Sequence, residues 1–229
     1  TYGRLLRFAL PSVGMMVFTS IYGVVDGFFV SNFAGKTPFA AVNLIFPLLM
    51  ILSTVGFMFG TGGSAIVART LGEQKKDQAN RYFSLFVYVT FALGVLFAVL
   101  GIAFLRPITI ALGGEGQLLE DAVHYGRIIL LALPFNVMQL LFQTFFVTAE
   151  KPKLGLYVTL ASGVTNMVLD YVFIVPLGMG LTGAALATAL SQVVGGVCPL
   201  IYFSRPNSSL LRLGKTRFDG KILAQACIN

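Results

Sequence analysis

Tryptophan is absent from this 229-residue chain, histidine occurs once, cysteine twice, and only 11% of residues are charged. Each scarcity removes a class of protein. A soluble globular domain carries about 25% charged residues, so this chain is not one. The single His124 borders a helix start without a ligand-like companion and reads as a surface or interfacial histidine. Cys198 falls within the last apolar run and Cys227 in the tail, with no CxxC or Cys/His neighbour. A disulfide framework or zinc site is therefore not expected. An intramembrane enzyme would need a nucleophile–base pair or a metal cluster within its helices, and the sequence offers neither. No enzymatic activity, cofactor or resident metal is expected.

What the chain has is apolar length. Hydrophobic residues make up 56% of it, 21 of them phenylalanine, and the mean hydropathy is +0.85. Six runs exceed the roughly 20 residues needed to cross a bilayer core. They predict helices at about 8–33, 39–68, 83–111, 122–148, 154–176 and 181–203. The breaks are 34–38 (AGKTP), the charged loop 69–81 (RTLGEQKKDQANR), 112–121 (LGGEGQLLED), the turn 150–153 (EKPK) and 176–180 (PLGMG). The fold class expected is an all-α membrane protein, a six-transmembrane-helix bundle. The N-terminal segment has the basic and apolar regions of a signal peptide. It continues past signal length without a small-residue cleavage site, so it reads as a membrane helix. Because the chain begins with Thr, trimming is suspected.

The net charge of +7 invites a nucleic-acid reading, but the basic residues lie between the apolar runs, where they orient a membrane protein. Arg4, Arg7, Arg69, Lys75, Lys76, Arg81, Lys151, Lys153, Arg205, Arg212, Lys215, Arg217 and Lys221 all fall on one side. Lys36, Arg106 and Arg127 fall on or near the other. No nucleic-acid partner is expected. Both ends of the segment are expected to be cytoplasmic, in an integral multi-pass protein of a bacterial or archaeal plasma membrane. Residues 1–204 form the predicted six-helix lobe. Residues 205–229 form a basic cytoplasmic linker and the start of a seventh helix.

Within the apolar runs, Asp26 and Asp170 stand out; the other seven acidic residues sit in short polar stretches. A carboxylate at membrane depth costs roughly 2.5–3.5 kcal/mol on insertion scales. Each has polar companions at helical spacing. Thr19, Tyr22, Gly23 and Asp26 share a face of helix 1; Thr159, Ser162, Asn166 and Asp170 share one of helix 5; Thr188, Ser191, Gln192 and Gly195 share one of helix 6. Asp26 lies roughly 27 Å along helix 1 and Asp170 roughly 24 Å along helix 5, so the two carboxyls reach a common level. If they meet, they titrate as a unit. Together with oxygens of Asn166 and Thr188 they could instead hold Na⁺; packing between helices is the structural alternative. Gly23-x3-Gly27 and Gly56-x3-Gly60 permit close helix approach. Pro11, Pro47 and Pro134 invite kinks. Phe135 and Met138 are candidate pocket residues for apolar cations.

Three stretches resemble the multidrug and toxic compound extrusion (MATE) transporters. They are residues 9–47 (ALPSVGMMVFTSIYGVVDGFFVSNFAGKTPFAAVNLIFP), 60–83 (GTGGSAIVARTLGEQKKDQANRYF) and 162–192 (SGVTNMVLDYVFIVPLGMGLTGAALATALSQ). The resemblance implies one six-helix lobe, the N-terminal half of a twelve-helix transporter whose partner is a C-terminal lobe. It implies an antiporter exporting organic, often cationic drugs in exchange for H⁺ or Na⁺. The alternative within the same superfamily is a flippase of lipid-linked oligosaccharides. The resemblance carries over a cation-coupling set at Asp26, Asn166, Asp170, Thr188 and Tyr125 and the family's helix 1 proline at Pro11, a candidate hinge; Gln139 joins Phe135 and Met138 as a candidate substrate-pocket residue. The family's helix 4 asparagine has no clear counterpart, with Gln139 and Gln143 the nearest substitutes, and the TAEKPK turn lacks the family's Arg and Gly.

Overall fold

The computed structural model describes residues 2–228; side chains are described from residue 9 onward, together with that of Leu6. The side chains of Arg4 and Arg7, counted above among the orienting charges, lie outside the described residues. The helices are α1 (Tyr2–Phe29), α2 (Lys36–Gly72), α3 (Lys76–Ala111), α4 (Gly116–Thr148), α5 (Pro152–Ile174), α6 (Gly180–Ser204) and the short α7 (Gly220–Ile228). A π-helical turn, Val30–Ala34, closes α1. Among the described residues, six helices are long and apolar enough to cross a membrane.

The helices are longer than the apolar runs. The expected loop 69–81 is helical except near Glu73, Gln74 and Lys75, and 112–121 is helical again from Gly116; α5 instead stops at Ile174, two residues early. Hydropathy marks what can lie in hydrocarbon, whereas Lys, Gln and Asp continue a helix wherever water covers them. The turns after α2, α3 and α4 share one closure. In each, one amide donates back three residues and the next back five: Gln74 to Leu71 and Lys75 to Thr70, Gly113 to Ile110 and Gly114 to Thr109, Glu150 to Val147 and Lys151 to Phe146. This closure places its central residue in left-handed backbone. Gly113 (φ 92°) suits it, but Gln74 (φ 60°) and Glu150 (φ 57°) carry a Cβ there.

The centre of the bundle is α4, which packs on α2, α3, α5 and α6. The α2 crossing is close because Gly56 has no side chain; a Cβ there would lie 2.5 Å from the Val137 carbonyl oxygen. Gly23 and Gly27 behave differently from expectation: a Cβ on either meets nothing within 4 Å. They lie on an open part of α1, which packs chiefly on α5. Pro11, Pro47 and Pro134 all lie inside continuous helices.

Two interiors result. Toward the basic end, Phe83, Phe142, Phe145, Phe146 and Phe203 are buried together with Leu211 and Ala226 of the tail. Ring centroids there stand 4.9 Å (Phe83–Phe145), 5.0 Å (Phe83–Phe203) and 5.6 Å (Phe142–Phe203) apart. Toward the opposite end the core is aliphatic, built on Ile45, Leu105, Leu130 and Leu133, and includes Tyr125.

Candidate cation site between the first, fifth and sixth helices

A polar seam runs along the buried face of α5. Thr159, Ser162, Asn166 and Asp170 recur every three or four residues and are all under 4% exposed. Two of them are bonded to α6. The Ser162 hydroxyl donates to the Ser191 carbonyl at 2.7 Å, and the Asn166 amide donates to Thr188 Oγ1 at 3.4 Å. Gly195 makes room for the Gln139 side chain of α4, whose amide reaches Ser162 Oγ at 3.5 Å.

Asp170 ends the seam, and α1 brings Asp26 to it. The two carboxyl groups are neighbours across the contact between α1 and α5, each within electrostatic reach of the other. From Tyr2 to Asp26 is about 36 Å of helical rise, and from Pro152 to Asp170 about 27 Å. They meet because α1 begins beyond the level of the α4–α5 turn. Tyr125 of α4 is buried, lies beside Thr188, and is within electrostatic reach of both carboxyls.

Asp26, Tyr125, Asn166, Asp170 and Thr188, from four helices, thus converge in the half of the bundle away from the basic end. The charge balance there is unusual. Asp26 Oδ1, Asn166 Oδ1, both Asp170 carboxylate oxygens and Gln192 Oε1 are buried without a hydrogen-bond partner among the described residues. Buried acceptors without donors lower their energy by gaining a proton, a cation or another donor. Among the described residues no three His, Cys, Asp or Glu groups cluster as for a transition metal. Two carboxyls with neutral hydroxyl and amide oxygens are a donor set for a hard cation.

The remaining candidates lie elsewhere. Pro11 is buried some four turns from Asp26, toward the basic end. Met138 is 2% exposed within the aromatic core, so its thioether packs into the interior of this bundle. Gln139 is buried in the seam. Phe135 is half-buried, edge-on to Phe91 of α3 at 6.2 Å. His124 is exposed, its Nε2 2.8 Å from Thr182 Oγ1.

Sequence reasoning missed two features. Gln192 was placed on a polar face, but its orphaned oxygen was not foreseen. Asn136 was not noticed; its amide donates to Ser53 Oγ at 2.8 Å and ties α4 to α2. The available signal was a lone asparagine in an apolar run, eleven residues beyond Tyr125 on α4.

The MatE family model matches residues 11–172. The multidrug export protein MepA of Staphylococcus haemolyticus is 29% identical over 209 residues, covering 91% of this chain and 46% of its own. Among solved structures, MATE in complex with MaD3S superposes with a TM-score of 0.90 at 25% identity, covering 96% of this chain and 50% of that one. An outward-facing MATE multidrug resistance transporter of the MOP superfamily gives 0.87 at 25% identity, over 96% and 49%. The chain spans about half the length of the relatives it matches. A six-helix bundle of this shape, matched by the family model over most of its length, belongs to the MatE family.

Proposed function

We propose that this chain is half of a multidrug efflux antiporter and that it carries the ion-coupling site. The observation behind the reading is the meeting of Asp26 and Asp170 at the contact between α1 and α5. Two adjacent carboxyls repel, and binding H⁺ or Na⁺ relieves that repulsion. Asn166, Thr188 and Tyr125 complete the polar surround. Ion binding changes the fit of α1 against α5, and Pro11 is the hinge about which α1 bends. The lobe then rocks against a second lobe, and an organic cation leaves on the far side. Coupling needs only that ion and drug favour opposite-facing states, and the shift cannot exceed their differential affinity.

The exposed faces of α1 support its role as the moving element. It packs chiefly on α5, and Leu10, Val13, Met16, Val17, Ile21 and Val24 are all exposed. The MepA relatives, named multidrug export proteins, support efflux over lipid-linked sugar translocation. The basic end is cytoplasmic in this reading, with residues 205–229 as linker and start of the second lobe.

The test is efflux by the full-length protein in liposomes under an imposed pH or Na⁺ gradient. Asp26→Asn and Asp170→Asn should each abolish gradient-driven efflux. Unchanged coupled transport in both variants overturns the site. The gradient that drives the wild type identifies the ion.

A further inference from the structure

The segment after α6 is held down rather than free. The Arg212 amide donates to Asn80 Oδ1 at 2.9 Å, the Gly214 amide to Ser84 Oγ at 2.9 Å, and the Thr216 hydroxyl to the Arg81 carbonyl at 2.8 Å. The Tyr88 hydroxyl donates to the Gly214 carbonyl at 3.2 Å. Leu211 is fully buried in the aromatic core. The strap is therefore fixed along the first four turns of α3.

Its position relative to the membrane follows from α3. Between Arg81 and Arg106 the helix carries no charge, and those 24 residues rise about 36 Å. The hydrocarbon core is about 30 Å thick. Arg81 thus marks the membrane boundary, and the bonds to Ser84 and Tyr88 hold the strap at headgroup level. There it lines a cavity of about 980 Å³ with Arg81, Lys215, Arg217 and Phe218. The three cations form no ion pair among the described residues. The two acids of the same cavity sit at helix starts: Asp77 in the first turn of α3, and Asp219 accepting from the Lys221 amide at 3.0 Å. Phe218 is 79% exposed. Beside the cavity α3 presents Tyr88, Phe91, Val95 and Val99, exposed at helical spacing on one face.

A cationic pocket at the membrane boundary, with an apolar stripe leading from it into the core, matches both parts of one molecule. We propose that Arg81, Lys215 and Arg217 bind the phosphate headgroup of an anionic phospholipid whose acyl chains lie along the Tyr88–Val99 stripe. Phe218 inserts beside it. Juxtamembrane cations attract anionic lipid in this way generally, but here the strap fixes them in one place. The inference does not depend on the ion site.

The test uses full-length protein in phosphatidylcholine nanodiscs doped with phosphatidylglycerol, counting retained phosphatidylglycerol by native mass spectrometry. Lys215→Gln with Arg217→Gln should weaken retention at least tenfold. Lys151→Gln with Lys153→Gln removes the same charge from the α4–α5 turn and should leave it unchanged. Lys215→Arg should retain the lipid, and Phe218→Ala should weaken it less than the double variant. Equal loss in the two double variants, or loss in neither, overturns the proposal. Displacement of the lipid by millimolar inorganic phosphate overturns it as well, since a free anion would then be the ligand.

Discussion

The two ends of this bundle are held together by opposite means. Toward the basic end, Phe83, Phe142, Phe145, Phe146 and Phe203 interlock from α3, α4 and α6, and the tail adds Leu211 and Ala226. Toward the other end, α5 meets α1 and α6 along a polar seam in which Asp26 Oδ1, Asn166 Oδ1 and both Asp170 carboxylate oxygens lack a donor among the described residues. Aromatic packing is satisfied in one arrangement and resists change. A seam of unpaired acceptors is satisfied by a proton, a cation or another donor, so its energy depends on what it binds. The difference suggests a division of labour: the aromatic end is a fixed base, and the polar seam is where an ion can bias the position of α1.

The largest effect should come from breaking the base. Phe203→Ala empties the centre of the ring cluster and should cost about 3–5 kcal/mol, read as a lower midpoint of unfolding in detergent. A Gly56→Leu change attacks the scaffold that both ends share. Its side chain would strike the Val137 backbone, and a loss of about 1–3 kcal/mol or more is expected by the same measurement. The seam should respond in the opposite sense. Asp170→Asn should reduce gradient-driven efflux more than tenfold while leaving the unfolding midpoint unchanged or raised, because it removes a charge that lacks a donor. A large fall in that midpoint would show the seam to be structural and erase the contrast.

Smaller effects should come from the turn between α2 and α3. Gln74→Gly relieves left-handed backbone and should stabilise by up to about 1 kcal/mol. Next to it, the Lys75 ammonium at 2.8 Å, helped by Arg69, holds the Glu73 carboxyl below its usual range. This contribution is present above the ordinary glutamate pKa and is lost as pH falls through the lowered one. The groups are exposed, so Glu73→Gln should barely move the unfolding midpoint at pH 7, and its difference from wild type should vanish in acid.

Much of the site was legible because membranes make polar residues conspicuous. Asp26 and Asp170 were visible as the acidic residues deep within apolar runs, and 3.6-residue periodicity placed Asn166 and Ser162 on the face of Asp170. Thr188 stood on the polar face of helix 6 and was legible as an oxygen donor beside Asn166, whereas Tyr125 was singled out only through family resemblance, since nothing local separates a tyrosine that faces a site from one that faces lipid or water. Met138 illustrates the limit. Position on a helix face does not say whether that face meets a cavity or five phenylalanines.

The glycines make the same point. Gly23-x3-Gly27 and Gly56-x3-Gly60 have the same spacing, yet only the second pair meets a neighbouring helix within the lobe. The sequence by itself determined six membrane-crossing helices and the deeply placed carboxyls, because hydrocarbon excludes charge and imposes a minimum span. Only the tertiary structure decided that Asp26 meets Asp170, that α4 is the centre, and that the strap lies along α3. Those depend on how far each helix extends beyond the hydrocarbon and which faces pack, and lipid-facing and helix-facing apolar side chains look alike in a sequence.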